Sequence, residues 1–227
     1  MESVMVFVLG LGVRFLLFVL LFALFTAPIA LLVLAVQGAT TLRERATGRV
    51  DAGGVRWKPG LAYTTAHAWI KSAWGRTVKV GLDDVARRLL AGAREIALPP
   101  PGSRLRQGDP LARIRCGERL VPIPCPVDGI VLERNAVVMG NPSLFEREPY
   151  GAGWLLRLET LDAPESYAFR GPDSKAWLRD ENARLNRFLE TRLGLSAADG
   201  GTLTRAPSEL LGEVAWQQAF DQFLRAS

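Results

Sequence analysis

Charged side chains are nearly absent from the start of this 227-residue sequence. Residues 4–36 contain a single ionisable side chain, Arg14, whereas nearly every other one follows Thr41. Residues 15–36 are almost wholly apolar, and a helix of that length crosses the hydrocarbon core of a bilayer, which is about 30 Å thick. The run is too long for the apolar core of a secretory signal. We therefore expect one transmembrane helix within residues 1–40, followed by a water-soluble body.

Three features of this predicted helix bear on its surroundings. Pro28 predicts a kink because proline leaves one backbone carbonyl without its donor, and Thr26 is placed to bond back to the backbone. The Arg14 side chain either extends until its guanidinium reaches the lipid headgroups of the outer leaflet or contacts another membrane subunit. Cations are more numerous after the helix than before it, namely Arg43, Arg45, Arg49, Arg56 and Lys58. The positive-inside rule then predicts a single-pass protein of the cytoplasmic membrane, with its N-terminus outside, its body in the cytoplasm and membrane lipid as one partner.

Residue types that bind metals or perform catalysis are scarce. The sequence has one histidine, His67, and two cysteines, Cys116 and Cys125, without Cys-x-x-Cys spacing. No metal site is indicated, and no Gly-x-Ser-x-Gly elbow accompanies His67, so we expect neither a metal nor an enzyme. The net charge of +5 comes from scattered cations mixed with acidic residues. Because no nucleic-acid-binding motif is present, nucleic acid is not an expected partner.

The body has the pattern of a mainly β domain. After a predicted juxtamembrane linker, residues 41–60, the stretch LAYTTAHAWIKSAWGRTVKVGL predicts a β-hairpin with its turn at SAWGR. Asp83 is placed to cap a short helix that ends near Gly92. Short strands then follow at nearly regular intervals, separated by proline and glycine, which favours a small barrel or sandwich.

Four separated motifs in residues 61–160 resemble those of the glycine cleavage system H proteins, the lipoyl carriers of that system. YTTAHAW resembles the family's Tyr-Thr-x-x-His-x-Trp, and VGLDDVARRLLAGAREIALPPPGSRLRQGDPLARI is similar to its helix and Leu-Pro-x-x-Gly loop. CPVDGIVLERN resembles the hairpin Ala-Pro-x-Ser-Gly-x-Val-x-x-x-Asn, and NPSLFEREPYGAGWLLRL the closing motif. The resemblance implies a lipoyl-like barrel-sandwich hybrid, in which His67 is structural and Cys125 occupies a small, buried position.

The residue that carries the cofactor in this family is missing. The family attaches lipoate to a lysine eight residues before the hairpin proline, which corresponds here to Glu118 before Pro126. No lysine occurs between Lys79 and Lys175, and neither a carboxylate nor a guanidinium offers the primary amine that lipoate needs. We therefore expect no lipoyl group and no other cofactor. The hairpin in residues 114–135 should keep its shape and offer a partner a fixed set of charges, namely Arg115, Glu118 and Arg119.

Residues 161–227 change from a strand-like to a helix-like composition. Two amphipathic, antiparallel helices are predicted, one from Asp173 to Gly194 and one starting at Pro207. Either both pack on the domain, or the second docks on another protein. Its candidate contact residues are Trp216, Phe220 and Phe223.

Together these features favour a non-catalytic, non-lipoylated accessory or scaffold subunit of a multisubunit membrane complex. Respiratory and photosynthetic complexes are suggested by analogy alone, because such complexes recruit single-pass subunits without chemistry of their own. The alternative is a membrane-tethered binding or regulatory module for lipoate-dependent enzymes.

Overall fold

The structure is a computed structural model that describes residues 2–47, 49–50, 54–160, 169–194 and 205–225, with side chains for 10–37 and for the described residues from 54 onward. The chain divides into two compact units, residues 1–44 and 45–227.

The first unit is formed by a long helix, α1, Glu2–Thr47. Its segment Gly10–Gln37 is long and apolar enough to cross a membrane. The helix is assigned without a break through Pro28, and the Thr26 hydroxyl donates to the Phe22 carbonyl at 2.8 Å. The predicted back-bond of Thr26 is therefore present, although the carbonyl that Pro28 leaves without a donor is that of Leu24, four residues before the proline.

The second unit is mainly β in its described residues. The strands are β1 Arg49–Val50, β2 Arg56–Trp57, β3 Ala62–Tyr63, β4 Ala68–Ser72, β5 Thr77–Leu82, β6 Ala93–Ala97, β7 Arg104–Leu105, β8 Pro110–Cys116, β9 Arg119–Pro124, β10 Gly129–Arg134 and β11 Leu156–Thr160. The helices are α2 Asp84–Leu89, α3 Ala136–Gly140, α4 Ser143–Arg147, α5 Gly171–Leu193, α6 Pro207–Leu210 and α7 Glu213–Phe223.

The strands form antiparallel sheets. One has six strands in the order β3-β4-β5-β11-β10-β7, a second has three in the order β6-β8-β9, and β1 pairs with β2. Buried apolar side chains from both larger sheets and from the helices form one continuous core. The prediction of a mainly β fold with an N-terminal apolar helix and C-terminal helices is confirmed.

Local signals in the sequence account for the elements around β5. Gly81 lies opposite Trp69, and a Cβ atom there would be 2.4 Å from the indole ring, so only glycine fits. The Asp83 carboxylate accepts the backbone N–H groups of Val85 at 2.9 Å and Ala86 at 3.1 Å, as predicted for an N-cap of α2. The sequence therefore fixes where β5 ends and where α2 begins.

The stretch 114–135, predicted as two strands and a turn, contains parts of three strands. β8 and β9 form a tight hairpin, whereas β10 belongs to the six-stranded sheet. Pro122 and Pro124 lie in β9, an edge strand, where their missing N–H groups break no pairing within the sheet.

The C-terminal helices differ from the prediction in one respect. α5 ends at Leu193 with Gly194 in the left-handed conformation, φ 64°, as the glycine predicts. The second predicted helix is split into α6 and α7, because Leu211 and Gly212 have extended backbone angles. Residues 195–204, between the two predicted helices, lie outside the described residues.

The last residues of the predicted linker, residues 41–60, pack against the folded domain. Val55 is fully buried. The backbone N–H of Arg56 donates to the Asp84 carboxylate at 3.0 Å, and the Lys58 ammonium donates to the Tyr150 carbonyl at 2.8 Å. The folded domain therefore begins before residue 60.

Candidate functional site

The turn between β8 and β9 carries the position at which the resemblance implies a cofactor lysine. Cys116 pairs with Arg119 across the ladder, so the turn consists of Gly117 and Glu118 alone. Gly117 has φ 60°, a conformation that glycine adopts without strain at the first position of a two-residue hairpin turn. Glu118 is exposed at the tip. The structure therefore has an exposed carboxylate at the hairpin position for which the resemblance predicts the cofactor lysine.

Arg119, next to this tip, is bound by the chain's own C-terminal helices. Its guanidinium donates to the carbonyl of Ser208, to the carbonyl of Leu211 at 3.0 Å, and to the Glu213 carboxylate at 3.3 Å. It also lies over the Trp216 ring, 5.2 Å from the centroid. The carbonyls belong to the end of α6, where partial negative charge favours a cation. The chain's own groups therefore hold the Arg119 guanidinium in this structure, and its contact with a partner stays a prediction.

A groove of about 890 Å³ runs between the hairpin and these helices. Glu118, Leu120 and Pro122 line one side, and Gln217 and Phe220 line the other. Leu120 and Glu118 are exposed and Phe220 is half-buried. Of the predicted contact residues, Glu118 and Phe220 thus remain accessible, and both face this groove.

Arg115 does not reach the tip. It lies one ladder pair back from Cys116 on β8, and its Nε donates to the Glu95 carboxylate at 2.9 Å. Both side chains are about half exposed, and an ion pair of this kind contributes at most about 1 kcal/mol. Arg115 therefore belongs to the surface of the three-stranded sheet.

The aromatic residues of α7 face the domain more than they face solvent. Trp216 and Phe223 are buried, and Phe223 lies edge-on to Phe188 of α5 at 5.9 Å between ring centroids. Their burial supports the first of the two alternatives, packing on the domain, and a contact of these two side chains with a partner stays a prediction. Arg14, the remaining candidate, is exposed on α1, and its partner stays a prediction.

A buried ion pair holds α5 against the domain. His67, at φ 56°, is 2.8 Å from the Asp83 carboxylate through Nδ1 and 3.7 Å from the Glu181 carboxylate through Nε2. Its ring stacks on Trp177 at 5.1 Å. Burial alone would lower the pKa of His67, but the two carboxylates outweigh burial and raise this pKa to about 9. The structural interpretation of His67 is supported, and Glu181 is the partner that the sequence did not reveal.

The two cysteines are buried, and their thiols are unreactive. Burial raises the pKa of Cys125 to about 11 and that of Cys116 to about 12, so both stay protonated at neutral pH. Neither is a nucleophile. In the part of the chain that the structure describes, no group of three potential metal ligands is present either.

Residues 61–174 match the family described as glycine cleavage H-protein. The glycine cleavage system H protein of Mycobacterium avium (strain 104) is 34% identical over 105 residues, which are 46% of this chain and 80% of that protein. The H protein 2 of Aquifex aeolicus (strain VF5) is 33% identical over 91 residues, 40% of this chain and 56% of that protein. A solved H protein from Mycobacterium marinum is 22% identical with a TM-score of 0.48, covering 53% of this chain and 98% of that one.

The matched region contains the six-stranded and three-stranded sheets, the His67 motif and the β8–β9 hairpin, whereas α1, β1, β2, most of α5, α6 and α7 lie outside it. The family is one of lipoyl carriers that are not themselves catalytic. This chain belongs to the glycine cleavage H-protein family.

Proposed function

We propose that this protein is a non-lipoylated member of its family that serves as an accessory or scaffold subunit of a multisubunit membrane complex. The observation that carries the proposal is the state of the hairpin turn. Glu118 stands at the carrier position, and the neighbouring Arg119 is tied to the ends of α6 and α7. A swinging arm needs an amine and a turn that other proteins can approach, and this turn is bounded by the chain's own helices.

The apolar segment Gly10–Gln37 supports membrane anchoring by its length and composition. The cations that follow it favour a cytoplasmic body. An anchored domain without a carrier residue is suited to holding other subunits in place. Respiratory and photosynthetic complexes are the candidates by analogy.

The first test measures lipoylation directly. The full chain, a Glu118→Lys variant and an Arg113→Lys control are each co-expressed with a lipoate ligase, and their intact masses are measured. Arg113 is exposed on β8, away from the turn, so its variant adds a lysine without the turn geometry. We expect no lipoyl adduct on the natural chain or on Arg113→Lys. A lipoyl adduct on the natural chain would overturn the proposal. An adduct on Glu118→Lys would support the assignment of Glu118 to the carrier position, whereas its absence would show that α6 and α7 also keep the ligase from the turn.

The second test identifies the partners. The tagged full chain is purified from native membranes in mild detergent, and co-purifying proteins are quantified by mass spectrometry. Stoichiometric recovery of membrane subunits is the expected result, and Glu118→Arg should reduce it more than Asp180→Arg, a matched reversal on α5. Recovery with lipoate-handling enzymes alone would instead favour a membrane-tethered regulatory module, for which the retained hairpin shape is the supporting observation.

A further inference from the structure

Four charged side chains form one row across the six-stranded sheet. Lys71 of β4 pairs with Lys79 of β5, Lys79 pairs with Arg157 of β11, and Arg157 pairs with Glu133 of β10. Directly opposed side chains in an antiparallel sheet are about 5 Å apart at Cβ, and like charges so placed repel. Three adjacent cations with one carboxylate at the end therefore leave positive charge along the row.

The surroundings of Lys79 reflect this repulsion. Burial lowers the pKa of Lys79, and the neighbouring charges of Arg157 and Lys71 lower it further, while Glu133 opposes them. Glu133 is engaged with Arg157 at 2.8 Å, and the Lys79 ammonium lies 4.7 Å from the centroid of the Trp154 ring. Glu133 and the Trp154 ring do not cancel the repulsion among Lys71, Lys79 and Arg157, so an anion from outside the chain would relieve it.

The turn that joins β4 to β5 adds an exposed aromatic side chain to this surface. Trp74 is 98% exposed at the tip, next to Gly75 in the left-handed conformation, φ 65°. A groove of about 560 Å³ connects Trp74 with Lys71, Lys79, Arg157 and the exposed Leu132. A tryptophan in water beside a row of cations combines the two side-chain types that favour the boundary between bilayer and water.

The balance of charge on this surface stays positive when its neighbours are included. Arg76 lies in the same turn, and its Nε donates to the Thr160 carbonyl at 3.0 Å. Glu159 is exposed two residues beyond Arg157 on β11, opposite Thr77. The four cations Lys71, Arg76, Lys79 and Arg157 thus outnumber the two carboxylates Glu133 and Glu159. We call these six residues, with Trp74 and Leu132, the Trp74 surface.

We propose that the Trp74 surface docks on a bilayer containing anionic phospholipids, with the indole of Trp74 among the headgroups and the cation row against the phosphates. A protein partner fits less well, because protein interfaces are depleted in lysine and rely on a buried apolar core. On the Trp74 surface the large exposed apolar side chains are Trp74 and Leu132 alone within the described residues. The inference rests on the proposed membrane anchoring, which holds the domain close to lipid.

The distribution of tryptophan makes the docking measurable in the full chain. All six tryptophans follow residue 50, so none belongs to the apolar segment Gly10–Gln37. Lipids brominated along their acyl chains near the headgroup quench only tryptophans that reach the bilayer. The full chain is reconstituted into such vesicles, made of zwitterionic lipid alone or with one third phosphatidylglycerol, and its tryptophan fluorescence is compared with that in unbrominated vesicles.

We expect quenching in the anionic vesicles that is mostly lost in Trp74→Phe, weak in zwitterionic vesicles and reduced by salt. Lys71→Gln should lower the ratio of docked to undocked protein about fivefold, the effect of one cation near an anionic surface. Arg179→Gln removes an exposed cation from α5 and should leave that ratio unchanged.

Two outcomes would overturn the inference. Equal quenching of the natural chain and Trp74→Phe would show that Trp74 does not reach lipid. The second outcome is that a second copy of the chain covers Trp74 instead of lipid. In that case the protection of Trp74 from an aqueous quencher would increase with the amount of protein per vesicle and would be the same in zwitterionic and anionic vesicles, which would overturn the inference. Flotation of the same vesicles tests the anchor separately: if the protein fails to float with zwitterionic vesicles, the membrane anchoring itself is wrong, whereas flotation without quenching rejects docking alone.

Discussion

Two hairpin turns of the domain, β8–β9 and β4–β5, have opposite surroundings. At the β8–β9 turn, Arg119 is bound by α6 and α7, and Trp216 packs beside it. At the β4–β5 turn, Trp74 is almost fully exposed beside a row of cations. The resemblance predicts the carrier position at the first turn, and the helices that follow the matched region cover one flank of this turn. The difference shows that the C-terminal extension packs against one hairpin turn and leaves the other exposed.

The largest expected effect comes from removing the packing at the covered turn. Trp216→Ala deletes a buried indole and its contact with Arg119, which should lower the free energy of unfolding by about 3–5 kcal/mol. Amide hydrogen exchange in α7 of the full chain in detergent should accelerate accordingly. The β8–β9 turn would then become as open as the β4–β5 turn.

Val214→Ala is the matched control for this change. Val214 lies on the same helix but is 75% exposed, so its truncation should change stability by less than about 0.5 kcal/mol. Equal acceleration of exchange in both variants would show that α7 is held by something other than Trp216, and the contrast between the turns would lose its basis.

The next effect concerns α5 and depends on pH. His67 has its pKa raised from 6.5 to about 9, so its stabilising contribution is complete below about pH 6.5 and is lost as pH rises through about 9. The shift corresponds to about 3 kcal/mol. Denaturant unfolding at pH 6 and pH 9.5 should show this difference. Glu181→Gln should flatten it, because one of the two carboxylates that hold the proton is removed, and a flat profile in the natural chain would contradict the ion pair.

Some elements of these regions can be predicted from the sequence and others cannot, and the difference has a physical reason. The β4–β5 hairpin, the Asp83 cap and the Gly194 helix end follow from signals within a few residues. The break between α6 and α7 does not, because its apolar pattern suits one continuous helix. The pairing of His67 with Glu181 joins positions far apart in sequence, and only the packing of α5 on the domain brings them together.

The candidate site shows the same limit. The family resemblance and the eight-residue spacing from Pro126 predict the carrier position at Glu118, and the structure places Glu118 at the hairpin tip. The sequence could not tell whether the aromatic residues of α7 face a partner or the domain, because an amphipathic face has the same pattern in both cases. The row of Lys71, Lys79, Arg157 and Glu133 could not be predicted from the sequence either, because it depends on the register of four strands.

A smaller loss of stability is expected from substituting Arg119 than from Trp216→Ala, and a still smaller one from substituting Arg115 in the same hairpin. Arg119→Gln removes a half-buried cation from two carbonyls and a carboxylate, which should cost about 2 kcal/mol and speed exchange in α6 and α7. Arg115→Gln removes an exposed pair with Glu95 and should cost less than about 1 kcal/mol. If the two variants lose equal stability, Arg119 does not tie the extension to the turn.

The smallest effect is expected at the open turn. Trp74→Ser should leave the free energy of unfolding unchanged within about 0.5 kcal/mol, because a side chain that is 98% exposed loses no packing when it is shortened. Gly75 supplies the left-handed residue of the turn, so the backbone has no need of the indole. Denaturant unfolding in detergent, without anionic lipid, measures the intrinsic effect. A loss above about 1 kcal/mol would mean that Trp74 packs within the chain. The indole would then have a structural role, and its exposure could not be assigned to a membrane surface.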